Sequence, residues 1–128
     1  MSNVSVPIFI ESRYRVNRKR ITSSVEKVLT EQGVATPTEV SIAIIGSRKM
    51  RFLNKKYRNI DKSTNVLSFA QNDGYATVFP PDKQYLGDIV IAYPKVIEEC
   101  SVQNMLVDDW ISELVEHSVM HLLGSHHR

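Results

Sequence analysis

Leu86-Gly87-Asp88-Ile89-Val90-Ile91-Ala92, running directly into Tyr93-Pro94, is the stretch on which the fold turns. A short run dense in Ile and Val suits a strand buried in a core. Proline is at home in the first turn of a helix, where its missing N–H has no partner to lose. The stretch therefore predicts a core strand followed at once by a helix that turns Val96, Ile97 and Cys100 inward. Upstream, Gln71 to Gln84 holds Gly74, Pro80 and Pro81 and reads as a loop, and Asn65 to Phe69 before it is a second short strand. Further back, Ser47 caps a predicted short helix through about Arg58, with apolar positions at Met50, Phe52, Leu53 and Tyr57. Glu39 to Ile45 alternates as a strand. Between about Asn17 and Gln32, Ile21, Val25, Val28 and Leu29 recur at the spacing of a helix with one buried face. Residues 3–10 form a first strand, which Pro7 assigns to a sheet edge. Downstream, the last helix begins near Asp108-Asp109, whose carboxylates suit its positive end, and carries Trp110, Ile111, Leu114, Val115, Val119 and Leu122. The order β-α-β-α-β-β-α-α predicts an α+β fold: a small mixed sheet of about four strands packed with about four helices.

A chain of 128 residues with 42% hydrophobic content fits one domain, 1–128, with a proper core. No apolar run approaches the roughly 18 residues a membrane helix needs, and the start lacks the layout of a secretion signal. Cys100 has no second cysteine to pair with and is expected as a small buried side chain in a reducing cytoplasm. The net charge of +2 conceals an asymmetry: residues 1–60 carry 12 Lys and Arg against 4 Glu, and the rest 4 against 10 acidic residues, so the parts hold +8 and −6. Clusters at Arg13–Arg20 and Arg48–Arg58 are consistent with a basic surface facing an anion such as nucleic acid, or with two solvated helix faces.

All four histidines fall in the last twelve residues, within Glu116-His117-Ser118-Val119-Met120-His121-Leu122-Leu123-Gly124-Ser125-His126-His127. His117 and His121 are one helical turn apart, so their rings share a face, as one ion requires of two imidazoles. Gly124 is expected to end the helix in a left-handed conformation and let the turn that follows bring His127 to the same ion. The spacing His-x-x-x-His-x-x-Gly-x-x-His matches that of a known zinc-binding helix. Three imidazoles favour zinc, and three protein ligands leave a position for water, which implies hydrolysis. His126 is free to replace His127, to add a fourth ligand that closes the site, or to face solvent. A zinc protease keeps its water-activating glutamate where this chain has Ser118, so a substrate that already carries an anion, a phosphodiester, fits better. Asp88 is a candidate for handling the proton.

These residues resemble the YbeY family of endoribonucleases, the rRNA maturation factors marked by His-Gly-x-x-His-Leu-x-Gly-Tyr-Asp-His near the C-terminus. Two other segments agree: Leu53-Asn54 with Tyr57-Arg58, followed by Asp61 and Thr64-Asn65-Val66-Leu67-Ser68-Phe69, and Leu86-Gly87-Asp88-Ile89-Val90-Ile91. The resemblance covers about residues 40–127. It implies a zinc-dependent nuclease acting on single-stranded RNA in ribosomal RNA processing and small-subunit quality control, with Arg58 as the functional arginine. A guanidinium fork suits that role, since it holds a phosphate at two points. Four positions, in three places, depart from the family pattern: Ser118 replaces glycine, Ser125-His126 replace Tyr-Asp, and Asn65 stands where aspartate is usual. Two rivals stay open, another zinc hydrolase such as a peptidase, and a non-enzymatic ribosome-assembly factor in which zinc is structural.

Overall fold

The computed structural model describes residues 3–71 and 84–126, with side chains through Gly124. Its first strand segment is split: β1 (Val4–Ser5) and β2 (Ile8–Ile10) both run parallel to β3 (Thr38–Ile45). Pro7 explains the break, because it has no N–H for the ladder while its carbonyl still accepts from the Ile42 N–H at 2.9 Å. Five strands thus replace the four expected, with no change to the plan of the fold. Helix α1 (Arg18–Glu31) starts where the Asn17 side chain accepts from the Arg20 N–H, and it buries Ile21, Val25, Val28 and Leu29. After β3 come α2 (Ser47–Arg58), β4 (Val66–Ala70), β5 (Gln84–Ala92), α3 (Tyr93–Gln103) and α4 (Val107–His126). The sheet order is β1-β3-β5-β4, with β2 also on β3; β5 is parallel to β3, and β4 is antiparallel to β5. The architecture is the α+β arrangement the sequence predicts.

Alternation along β3 and β5 gives the sheet two unlike faces. Val40, Ile42, Ile44, Ile89 and Ile91 meet the apolar stripes of α1, α3 and α4 in the larger core. Ile45, Val90 and Ala92 turn the other way and, among the described residues, form a smaller cluster with Met50 and Leu53 of α2 and with Ala43, Leu67 and Phe69. So small a second core cannot cover all of α2. Phe52 and Tyr57, two of the apolar positions read on that helix, are 61% and 57% exposed. Ile97 on α3 is likewise 42% exposed, and only Val96 and Cys100 of that predicted inward trio are buried. The α2 cap also differs from expectation: Gly46 occupies the N-cap with no side-chain bond, and the Glu11 carboxylate accepts its N–H at 2.6 Å instead. That bond, aided by Lys49, holds the Glu11 carboxyl below its ordinary range.

Gly87 sits where β5 slips register against β3: Glu39 faces Tyr85, but Val40 faces Gly87. The extra residue is a bulge. Gly87 adopts φ +146°, and a Cβ there would lie 2.1 Å from the Phe69 carbonyl oxygen. Gly87→Ala is therefore expected to cost about 3 kcal/mol or more in urea unfolding, combining a disfavoured backbone with a clash against β4. A variant within about 1 kcal/mol of the parent would show that β4 can move aside.

Candidate functional site

α4 buries Ile111, Leu114, Val115, Ser118, Val119 and Leu122 along one side, which leaves His117 and His121 exposed on the other. Their i, i+4 spacing has the predicted result. The two Nε2 atoms are 3.0 Å apart, with ring centroids 4.6 Å apart and planes inclined by 75°. Neutral imidazoles can meet this way by one Nε2–H donating to the other ring's bare nitrogen, or both lone pairs can point at a shared cation. Zinc with bonds of about 2.0–2.1 Å in tetrahedral geometry separates two ligand nitrogens by roughly 3.4 Å, within a small rotation of the observed distance. Ser118, at 3% exposure, lies on the buried side, so the position that carries the glutamate of a zinc protease here packs into the core.

The expected helix end at Gly124 is corrected by the structure: α4 continues through Gly124 to His126. Glycine lowers helix stability by about 1 kcal/mol relative to alanine but does not oblige a helix to stop, and Leu122 and Leu123 anchor this last turn in the core. His127 lies outside the described residues, as does the side chain of His126. Among the described residues no group of three His, Cys, Asp or Glu side chains is placed to hold an ion.

Arg58 is the last residue of α2, exposed, and followed by Asn59 in a left-handed C-cap conformation. Among the described residues no ion pair or hydrogen bond engages its guanidinium. It is not brought into hydrogen-bonding contact with His117 or His121, because α2 and α4 pack on opposite faces of the sheet. The charge asymmetry of the sequence is partly spent within the fold, since α1 and α4 pair through Arg20–Asp109 (2.5 Å) and Lys27–Glu116 (3.4 Å). On α2, Lys49 pairs with Glu11 and Arg51 with Asp61, which leaves Arg48, Lys55, Lys56 and Arg58 without ion pairs among the described residues.

Asp88 does not face the histidines either. It lies on the α2 side of the sheet, where its Oδ1 accepts from Ser41 and from the Tyr85 hydroxyl. A regular strand sends residues i and i+3 to opposite faces, and the bulge is what brings Tyr85 and Asp88 together. Burial, then the bond to Asp88, pushes the Tyr85 hydroxyl up to about 12, so it stays a donor. Gly87 inside an apolar strand was the one sequence signal for this cluster.

The departure at Asn65 has a physical reason. Its Nδ2 donates to both Glu99 oxygens, at 3.1 and 3.4 Å, and Glu99 Oε1 also accepts from Trp110 Nε1 at 2.8 Å. An aspartate would set two carboxylates face to face. Asn65→Asp is expected to cost about 1–3 kcal/mol at neutral pH, and adding Glu99→Gln should recover most of it. Unfolding of the single and double variants checks this; equal stability of Asn65→Asp and the parent would deny the contact any weight.

A family model described as Endoribonuclease YbeY matches residues 8–128. The chain is 37% identical to the Endoribonuclease YbeY of Roseiflexus castenholzii, over 88% of this chain and 71% of the relative. It is 34% identical to that of a Clostridium botulinum strain, over 80% and 71%, and 32% identical to that of Acinetobacter baumannii, over 93% and 75%. Among solved structures, the solution structure of a Thermotoga maritima protein superposes with a TM-score of 0.61, covering 96% of this chain and 75% of that one at 21% identity. That likeness concerns the fold.

Proposed function

Because the chain belongs to the YbeY endoribonuclease family, we propose that it is a zinc-dependent endoribonuclease that hydrolyses phosphodiester bonds of single-stranded RNA, acting in ribosomal RNA maturation and small-subunit quality control. The observation that carries this reading is the convergence of two exposed imidazole nitrogens to 3.0 Å within the matched segment. The donor set fits zinc: both are imidazole nitrogens on one helix, solvent reaches them, and His127 would be the third. When bound, zinc would supply Lewis acidity at the scissile phosphate.

The chain's own residues supply the rest. His117 and His121 are held in register by α4, whose buried stripe fixes the helix against the sheet. Arg58, at the α2 C-terminus, presents five donors to a phosphate of the same RNA strand without first having to leave an internal partner. Lys55 extends that positive edge along the backbone. A peptide substrate is disfavoured because Ser118 is buried and has no carboxylate to act as a base.

The test uses a ribosomal RNA fragment that contains both paired and unpaired segments. Cuts confined to the unpaired segments, abolished by chelation and absent from a panel of peptides, are expected. Peptide cleavage without RNA cleavage would transfer the site to the rival hydrolase class.

A further inference from the structure

The small second core leaves part of the sheet uncovered beside α2, and there a cleft of about 490 Å³ opens between the strands and the helix. Tyr57 and Phe69 contribute aromatic rings that meet edge to face with centroids 5.1 Å apart, and Asp88 stands in the floor. Lys56 Nζ lies 5.3 Å from the centre of the Tyr57 ring, fixing a positive charge at the rim. The helix that forms this wall, Ser47–Arg58, has six basic residues and no acidic one. An exposed tyrosine ring beside a half-buried phenylalanine, near cations that have no ion pair among the described residues, offers what a single-stranded nucleic acid needs: a flat surface for its bases and positive charge along its backbone.

Asp88 adds chemistry of a different kind. Its Oδ1 is occupied by Ser41 and Tyr85, while among the described residues Oδ2 accepts nothing. A carboxylate repels phosphate but accepts from the amino groups on base edges. Cytosine, adenine and guanine offer such groups. Uracil offers only N3–H, flanked by two carbonyl oxygens that a carboxylate repels.

From this arrangement we infer that the cleft is a nucleobase subsite, in which one unpaired base of the RNA stacks on Tyr57 and Phe69 and donates its amino edge to Asp88, while Lys56 and Arg58 engage the flanking phosphates. The inference rests on the chain acting on RNA and goes beyond it by naming a base preference and a second contact region. β4 is the last strand of the described sheet, so a strand of RNA that rounds its edge reaches both this face and the face on which α4 lies.

The test is fluorescence anisotropy with short labelled oligo(C), oligo(A) and oligo(U), using the full chain and its Tyr57→Ala, Asp88→Asn and Phe52→Ala variants. Oligo(C) and oligo(A) should bind about five- to tenfold more tightly than oligo(U). Tyr57→Ala should weaken oligo(C) about tenfold, the scale that stacking on one aromatic side chain supplies. Phe52→Ala removes an exposed ring of the same helix outside the cleft; Lys56 Nζ lies 5.9 Å from the centre of that ring but keeps its nearer seat at Tyr57, so binding should stay within about twofold. Asp88→Asn should bring oligo(C) and oligo(U) together, because an amide both donates and accepts. This arm stands even where Tyr57→Ala is poorly folded.

A folded Tyr57→Ala that binds RNA like the parent overturns the subsite and leaves the cleft to a protein segment, as does an Asp88→Asn variant that keeps the full preference for cytosine. Cleavage assays run in parallel separate the two readings. A parent chain that cuts RNA with no Tyr57 effect removes the subsite and keeps the nuclease. Base-selective binding without cleavage does the reverse.

Discussion

Replacing His117 with alanine is expected to abolish stoichiometric zinc binding and to lower RNA cleavage by about a thousandfold or more, and His121→Ala is expected to do the same. The scale follows from what the metal contributes: Lewis-acid stabilisation worth several kcal/mol, each 1.4 kcal/mol of which is about tenfold in rate. Both side chains are exposed on the side of α4 away from the core. Their removal should therefore move stability by no more than about 0.5 kcal/mol. That separation matters, since a fold-wide loss would lower cleavage for an uninteresting reason. Zinc content by mass spectrometry on untagged protein, thermal unfolding and cleavage of a structured RNA together decide it. A His117→Ala variant that folds, lacks metal and still cleaves at the parent rate would end the metal account.

Arg58→Ala should separate differently, with cleavage falling about a hundredfold while zinc content and unfolding stay at parent values. The guanidinium makes no internal bond among the described residues, so nothing in the fold depends on it. A fork that holds a phosphate of the bound strand at two points, and so positions that strand, is worth a few kcal/mol. Arg58→Lys should restore only part of the rate, because an ammonium offers the charge without the planar fork. The salt dependence of RNA binding should become shallower in Arg58→Ala, by about one phosphate contact. Parent-like cleavage by Arg58→Ala would remove the residue from the mechanism and leave it a solvated helix terminus.

The parts of this fold that were legible in the sequence are those set by a period. Ile21, Val25, Val28 and Leu29 repeat at helical spacing, and all four are buried. Ile89 and Ile91 alternate with Val90 as a strand covered on both sides requires, and Pro94 marks the start of α3 as expected. The same kind of reasoning placed His117 and His121 together, since a helix turn leaves two residues four apart little choice. Composition also gave the fate of Cys100, which is 5% exposed with its thiol pushed up by burial.

What could not be read depended on the amount of partner surface available. Phe52, Tyr57 and Ile97 are apolar and helical, yet whether they are covered is decided by the width of the opposing layer, which a local pattern does not encode. Gly124 illustrates a second limit: its missing Cβ permits a left-handed break, and the packing of Leu122 and Leu123 keeps the helix going instead. The Ser41–Tyr85–Asp88 cluster needed the bulge at Gly87, a register event between two strands distant in sequence. Pro7 was read correctly as an edge residue, but the same missing N–H also cut the strand in two.

The most direct measurement strips the purified chain of metal with a chelator and returns zinc stepwise while RNA cleavage is followed. Cleavage that vanishes on stripping and climbs in proportion to added zinc, levelling off at one ion per chain, is the predicted result. A stripped chain, shown by mass spectrometry to hold no metal, that cleaves RNA at its original rate would contradict it.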